Sequence, residues 1–162
     1  MDDQTVALSP SDARQMALDL LSAHGLRHWT FTFNRAKRTM GLCRHSERRI
    51  ELSVYFVLAN DAAAVRDCIL HEIAHAIAGL EEGHGPIWKL ICRRIGAKPE
   101  RCGEARMPDG NWWAVCPNCR REYTRYRRPG KRHLYCCSDC GWESGKLKFA
   151  ARPRASTPKR RK

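Results

Sequence analysis

The chain has 162 residues, with 30 Lys and Arg against 17 Asp and Glu and a formal net charge of +13. Its length suits one moderate domain with at most a small appendage, and no apolar run approaches the ~20 residues of a membrane span. Nine cysteines, an odd number in a chain expected to work in a reducing compartment, point to metal ligation rather than disulfides.

The start, Met1-Asp2-Asp3-Gln4, is acidic and has no basic or apolar segment of the secretory kind. Ser9-Pro10 reads as a helix start; Ala13, Met16, Ala17, Leu20 and Leu21 follow at helical spacing, and Gly25 is a stop. Trp29, Phe31 and Phe33 alternate with threonines and predict a strand. Polar turns at 34–38 and 45–47 separate Met40–Cys43 from an alternating run of Ile50, Leu52, Val54 and Phe56. Together these segments predict a small antiparallel meander.

A helix from Asp61 to Gly79 or Gly83 follows. Val65, Ile69, Leu70, Ile73, Ala76, Ile77 and Leu80 form its apolar arc at about 100° per residue. Off that arc, among small residues, lie two histidines of the run His71-Glu72-Ile73-Ala74-His75. Residues four apart on a helix share a side, about 6 Å apart along the axis, so His71 and His75 can hold one zinc. Glu72 is placed to take a proton from water at that metal. His84, between Gly83 and Gly85, is the natural third ligand; an open fourth position is the mark of a catalytic site.

Pro86 opens another short helix, with Ile87, Leu90, Ile91 and Ile95 on one face, Lys89, Arg93 and Arg94 on the other, and Gly96 at its end. Residues 97–111 are rich in Pro, Gly and charge, which places a boundary there. The expected division is 1–110, then 111–150, then a basic disordered tail, 151–162, that closes on Lys159-Arg160-Arg161-Lys162. Residues 1–115 carry 15 cationic and 14 acidic side chains; residues 116–162 carry 15 and 3. A near-neutral body thus bears a strongly basic attachment.

The knuckles Cys116-Pro117-Asn118-Cys119 and Cys137-Ser138-Asp139-Cys140 have the spacing of a four-thiolate zinc ribbon. About 30 residues cannot fold on so small a core, so the metal must supply the stability. Cys43, Cys68, Cys92 and Cys102 read as small apolar residues. Between and beside the knuckles lie Arg120, Arg121, Tyr123, Arg125, Tyr126, Arg127, Arg128, Lys131 and Arg132. Cations neutralise phosphates and aromatic rings stack on bases, so these residues are candidates for nucleic-acid contact, with Tyr135, Trp112, Trp113 and Trp142 as further rings.

The HEIAH helix, the Gly-His-Gly-Pro turn with its following helix and the C-terminal four-cysteine ribbon together resemble the SprT-like family, which includes the Spartan proteases that degrade proteins crosslinked to DNA. The resemblance implies an α+β fold: a minimal zincin-type domain of helices and a small antiparallel sheet, followed by a zinc ribbon. It implies zinc ligands at His71, His75 and His84 and a base at Glu72; Glu81 or Glu82 are alternatives for the third ligand, with His84 preferred. The expected cofactors are two Zn²⁺, one catalytic and one structural. The expected partners are DNA, single-stranded or distorted, and DNA-bound proteins, for a monomer that is cytoplasmic at the nucleoid or nuclear. The competing reading is a nucleic-acid-binding adaptor whose zincin site is not catalytic.

Overall fold

The computed structural model describes residues 8–100, 105–130 and 132–152. The expectations for Cys102, Lys131 and the tail beyond Arg152 lie outside them. The chain divides into two units, residues 1–108 and 109–162.

In the first unit, helix α1 spans Pro10–Ala23. The Ser9 hydroxyl accepts the Asp12 N–H at 3.2 Å, a cap that contributes about 1 kcal/mol. Gly25 follows at φ +78°, a conformation that glycine adopts without a Cβ clash. Ala13, Ala17 and Leu21 are buried and pack α1 against the rest of the unit.

Three strands follow: β1 (Thr30–Asn34), β2 (Gly41–Arg44) and β3 (Arg49–Ser53). Their order is β1-β3-β2, with β1 parallel and β2 antiparallel to β3. The expected antiparallel meander would have put β2 in the middle. Burial explains the difference: Ile50, Glu51, Leu52 and Ser53 are all buried, so β3 is covered on both faces and takes the centre. Glu51 hid this in the sequence, because a carboxylate reads as a solvent position. In the fold it accepts hydrogen bonds from Asn34 of β1 (3.0 Å), Arg44 of β2 (2.6 Å) and Arg49 (3.1 Å). Burial pushes its pKa up, but these partners outweigh that and hold it below the usual carboxylate range. One side chain thereby ties all three strands.

The strand expected to run through Val54 and Phe56 instead ends at Ser53, and helix α2 spans Val54–Ala59. Phe56 and Val57 are both buried. Two adjacent buried residues belong to a helical face, and a stretch this short does not separate the two periods.

Helix α3 spans Ala62–Ala78, its first turn capped by Asp61, which accepts the Ala64 N–H at 2.8 Å. Val65, Ile69, Leu70 and Ile73 are buried as expected. The opposite side, expected to be roomy, is buried too: Cys68, His71, Glu72 and Ala74 are covered because α3 packs against β2, β3, α1 and α4. Leu80, the expected end of the apolar arc, lies beyond the helix in the one-turn 3-10 segment Leu80–Glu82 and is 71% exposed.

Helix α4 spans Pro86–Ile95 and Gly96 ends it in the left-handed conformation. Its buried face is Trp88, Ile91, Cys92 and Ile95, whereas Ile87 and Leu90 are exposed. The expected face was therefore rotated by about one residue: counting aliphatic residues passed over Trp88, the largest fully buried side chain of the chain's described residues. Cys68 and Cys92 are buried as small apolar residues and Cys43 is half-buried.

The second unit contains β4 (Trp112–Val115), β5 (Glu122–Arg125), β6 (Cys136–Cys137), α5 (Gly141–Ser144), β7 (Gly145–Lys146) and β8 (Ala150–Ala151). They form a sheet of order β5-β4-β8 and a β6-β7 pair. The unit runs further than the expected 150: Ala151 pairs with Trp112, the Arg152 N–H donates to Asn111 O at 2.8 Å, and its guanidinium pairs with Asp109. No helix among the described residues is long and apolar enough to cross a membrane.

Candidate metal centres

One turn of α3 sets His71 and His75 on the same side, and the loop after the helix returns His84 to meet them. The His84 Nε2 lies 3.1 Å from the His71 Nε2 and 3.2 Å from the His75 Nε2. A tetrahedral ion with Zn–N bonds of about 2.05 Å separates its ligand nitrogens by about 3.3 Å, so the three imidazoles fit such an ion. Burial, followed by the neighbouring His71 and His84, brings the His75 pKa down to about 4. At neutral pH its ring is uncharged and presents a lone pair, as a metal ligand must. The three candidate ligands grade from buried His71 through half-buried His75 to exposed His84, which leaves one side of the cluster toward solvent.

Trp88 is the residue that the sequence reading missed. Its ring is stacked on His75 (5.3 Å between centroids, 27° between planes) and meets His71 at 4.8 Å and His84 at 4.6 Å edge-on. Its indole N–H is buried with no hydrogen-bond partner among the described residues. Such a donor costs about 1–3 kcal/mol. The ring's contact with all three histidines is what that cost accompanies. The only sequence signal was its position, four residues after His84 and two after Pro86.

The Glu72 carboxylate lies against Gly41 of β2, and the residue is 7% exposed. A Cβ built on Gly41 would lie 2.6 Å from the Glu72 Oε1, 2.9 Å from its Cγ and 3.0 Å from its Cδ. The carboxylate therefore rests directly on the Gly41 backbone, in space that a Cβ at 41 would take from it. Cys43, two residues along the same face of β2, is pushed up to about 12 by burial and then by Glu72. Its thiol stays protonated beside the carboxylate.

The second unit gathers Cys116, Cys119, Cys137 and Cys140, whose sulfurs all lie within 4.8 Å of one another. The Cys119 and Cys137 sulfurs are 3.6 Å apart, close to the about 3.8 Å that a tetrahedral ion with Zn–S bonds of about 2.3 Å gives. The Tyr123 hydroxyl donates to Cys137 at 3.0 Å and is the first reason that this thiol is drawn down to about 6, against its burial. Cys119 goes the other way. The Arg121 N–H favours its thiolate, but burial and the three neighbouring thiols push it up to about 12. Four sulfurs so close cannot all ionise without a cation between them, and this donor set suits a soft divalent metal. Asn118 adds a hydrogen bond to the Cys140 sulfur at 3.3 Å.

The candidate nucleic-acid residues separate into two groups. Arg121 and Tyr123 serve the knuckles: Arg121 pairs with Asp139 at 2.7 Å, and the Tyr123 hydroxyl also accepts the Ser138 N–H at 3.2 Å. Arg125 and Arg128 lie instead on aromatic rings. The Arg125 guanidinium is 4.2 Å from the Tyr135 centroid and 5.4 Å from that of Phe149; Arg128 is 5.4 Å from the Trp112 centroid. Trp112, Arg128, His133, Tyr135 and Phe149 line a cleft of about 250 Å³. His133 and Phe149 were not foreseen: His133 stands inside the run but is neither a full cation nor a large ring, and Phe149 lies beyond the second knuckle. Arg120, Arg127 and Arg132 are exposed, and Tyr126 is half-buried.

No solved structure matches the chain. A family model does: that of the SprT-like family, over residues 13–107. The match covers more than half of the chain and ends before the four-cysteine unit. Since those same residues bring together His71, His75 and His84 and carry Glu72 on the same helix, the chain belongs to the SprT-like family and carries its zinc metallopeptidase-type domain.

Proposed function

We propose that this chain is a zinc-dependent endopeptidase that cleaves proteins bound or crosslinked to DNA. The observation that carries this reading is the convergence of three imidazole nitrogens, with the buried Glu72 following the first of these histidines on the same helix. His71, His75 and His84 would hold a catalytic zinc, and Cys116, Cys119, Cys137 and Cys140 a structural one. A zinc ion in the histidine site supplies the Lewis acidity that activates water near neutral pH and polarises a peptide carbonyl. Glu72 then takes a proton as water attacks that carbonyl and returns it to the leaving amine.

Edge strand β2 supports an extended peptide as the substrate. The Ser53 N–H donates to Met40 O at 2.7 Å, which makes 40 and 53 a hydrogen-bonded pair. Alternation then makes Gly41–Leu52 and Cys43–Ile50 non-hydrogen-bonded pairs. The backbone groups of Gly41 and Cys43 consequently turn to the unpaired edge, where a substrate strand can add. Gly41 thus touches the base and offers backbone to the peptide. Gly41→Ala should displace the Glu72 carboxylate and lower kcat about 10²-fold or more, with zinc content unchanged. An alanine variant with wild-type kcat would show that the contact is immaterial.

The basic second unit supports DNA as the partner, since the cleft between Trp112, Tyr135 and Phe149 combines rings for a base with Arg128 for phosphate, and Arg125 lies on the Tyr135 ring. Holding enzyme and substrate on one strand raises their effective concentration. The test is cleavage of a DNA-binding protein by the full chain, with and without single-stranded DNA, together with binding measured across salt concentrations. Stimulation by DNA is expected, as is a log affinity that falls linearly with log salt, by about 0.7 per phosphate contacted. Arg125→Ala with Arg128→Ala should flatten that slope by about 1.4. A salt-independent affinity would remove DNA from the account.

A further inference from the structure

We propose that Glu82 is the positioning residue of the three-histidine centre, holding His84 in place without touching the metal. This rests on the reading of His71, His75 and His84 as metal ligands. Two of the ligands are fixed by α3 itself. The third stands on a loop, exposed, between two glycines, and depends on whatever holds that loop. Gly79 ends α3 at φ +95°, Leu80–Glu82 make one 3-10 turn, and Gly83 takes φ +55°, ψ −123°, a conformation that glycine alone adopts readily. Nothing in that run of small and turn residues is rigid by itself.

Glu82 closes it twice. Its backbone carbonyl accepts the Gly85 N–H at 2.9 Å, and its carboxylate Oε1 accepts the Ile87 N–H at 2.8 Å. Ile87 lies in the first turn of α4, whose N-cap, Gly85, offers no side chain to satisfy the free N–H groups there. Glu82 therefore caps α4 from outside, across His84, and the helix dipole favours its charge. The fit is tight: a Cβ on Gly85 would overlap the carboxylate oxygen and lie 2.9 Å from both the Glu82 Cδ and its backbone carbonyl. The same cap sets the start of α4, which carries Trp88 against all three imidazoles. One carboxylate thus governs the loop ligand and the ring that backs the cluster. Because that carboxylate is engaged with α4, the geometry assigns the third ligand position to His84.

The test uses the full chain with its ribbon metal in place. The histidine site is emptied with a mild chelator and titrated with Co²⁺, reading affinity and the visible absorption of the bound ion. Glu82→Ala should weaken Co²⁺ binding about 10–100-fold, the range for residues that orient metal ligands, and should lower the melting temperature of the emptied protein by no more than the loss of one helix cap does. Glu82→Gln keeps an oxygen for the Ile87 N–H and should retain both affinity and spectrum. Wild-type affinity and spectrum in Glu82→Ala would overturn the proposal. So would a Glu82→Gln variant as weak as Glu82→Ala, which would mean that the charge, or direct ligation, matters instead. If the wild-type protein itself takes no Co²⁺ at the histidines, the metal reading fails, a result distinct from either.

Discussion

Glu72→Gln should slow peptide cleavage by orders of magnitude while leaving zinc content and DNA affinity at wild-type values. Gln matches Glu in size, so the contact with Gly41 persists, but its amide cannot take a proton from water. General acid–base groups contribute typically 10²–10⁴-fold to rate, and the loss in kcat should fall in that range. Zinc content is expected to hold because the three ligating nitrogens belong to other residues. DNA affinity is expected to hold because the cationic and aromatic cleft belongs to the second unit. The comparison is made on one DNA-bound substrate, with metal content and strand affinity measured on the same preparations. Equal cleavage by both proteins would move the base elsewhere. No cleavage by either, with zinc and DNA still bound, would favour a binding adaptor over an enzyme.

Removing the ribbon metal should have the largest effect on structure. Among the described residues, the buried hydrophobic core of the second unit is Ala114, Cys116, Cys137 and Leu147, so half of that core consists of candidate ligands. Metal binding is worth roughly 10 kcal/mol or more at such sites, comparable to the entire stability of an ordinary domain. Cys137→Ser should therefore unfold residues 112–151. The first unit, with a core running from Ala13 to Ala97, should stay folded. Amide hydrogen exchange separates the two: β4 and β5 should exchange like an unfolded chain while α3 remains protected. Protection of β4 and β5 in the metal-stripped variant would show that the four thiols are not a structural metal site.

Arg121 illustrates why nucleic-acid contacts are harder to read than metal sites. A run of cations and rings has no fixed geometry, and only folding decides which members turn outward. Here Arg121 and Tyr123 are engaged by Asp139, Ser138 and Cys137, while Arg125 and Arg128 stack on rings around a cleft.

The amino-acid sequence by itself determined the things whose physics is local. The spacing of His71 and His75 follows from helix pitch. The helix starts at Ser9 and Asp61 follow from side chains that cap their own first turns, and the two cysteine knuckles follow from a two-residue gap. Tertiary structure alone decided the rest, because it depends on neighbours distant in sequence. The central place of β3 depended on partners that make a buried Glu51 tolerable. The true face of α4 depended on Trp88 finding three histidines to pack on. The glycine at 41 acquired its meaning only when β2 was laid against α3, where the space of one missing Cβ is filled by the carboxylate of Glu72.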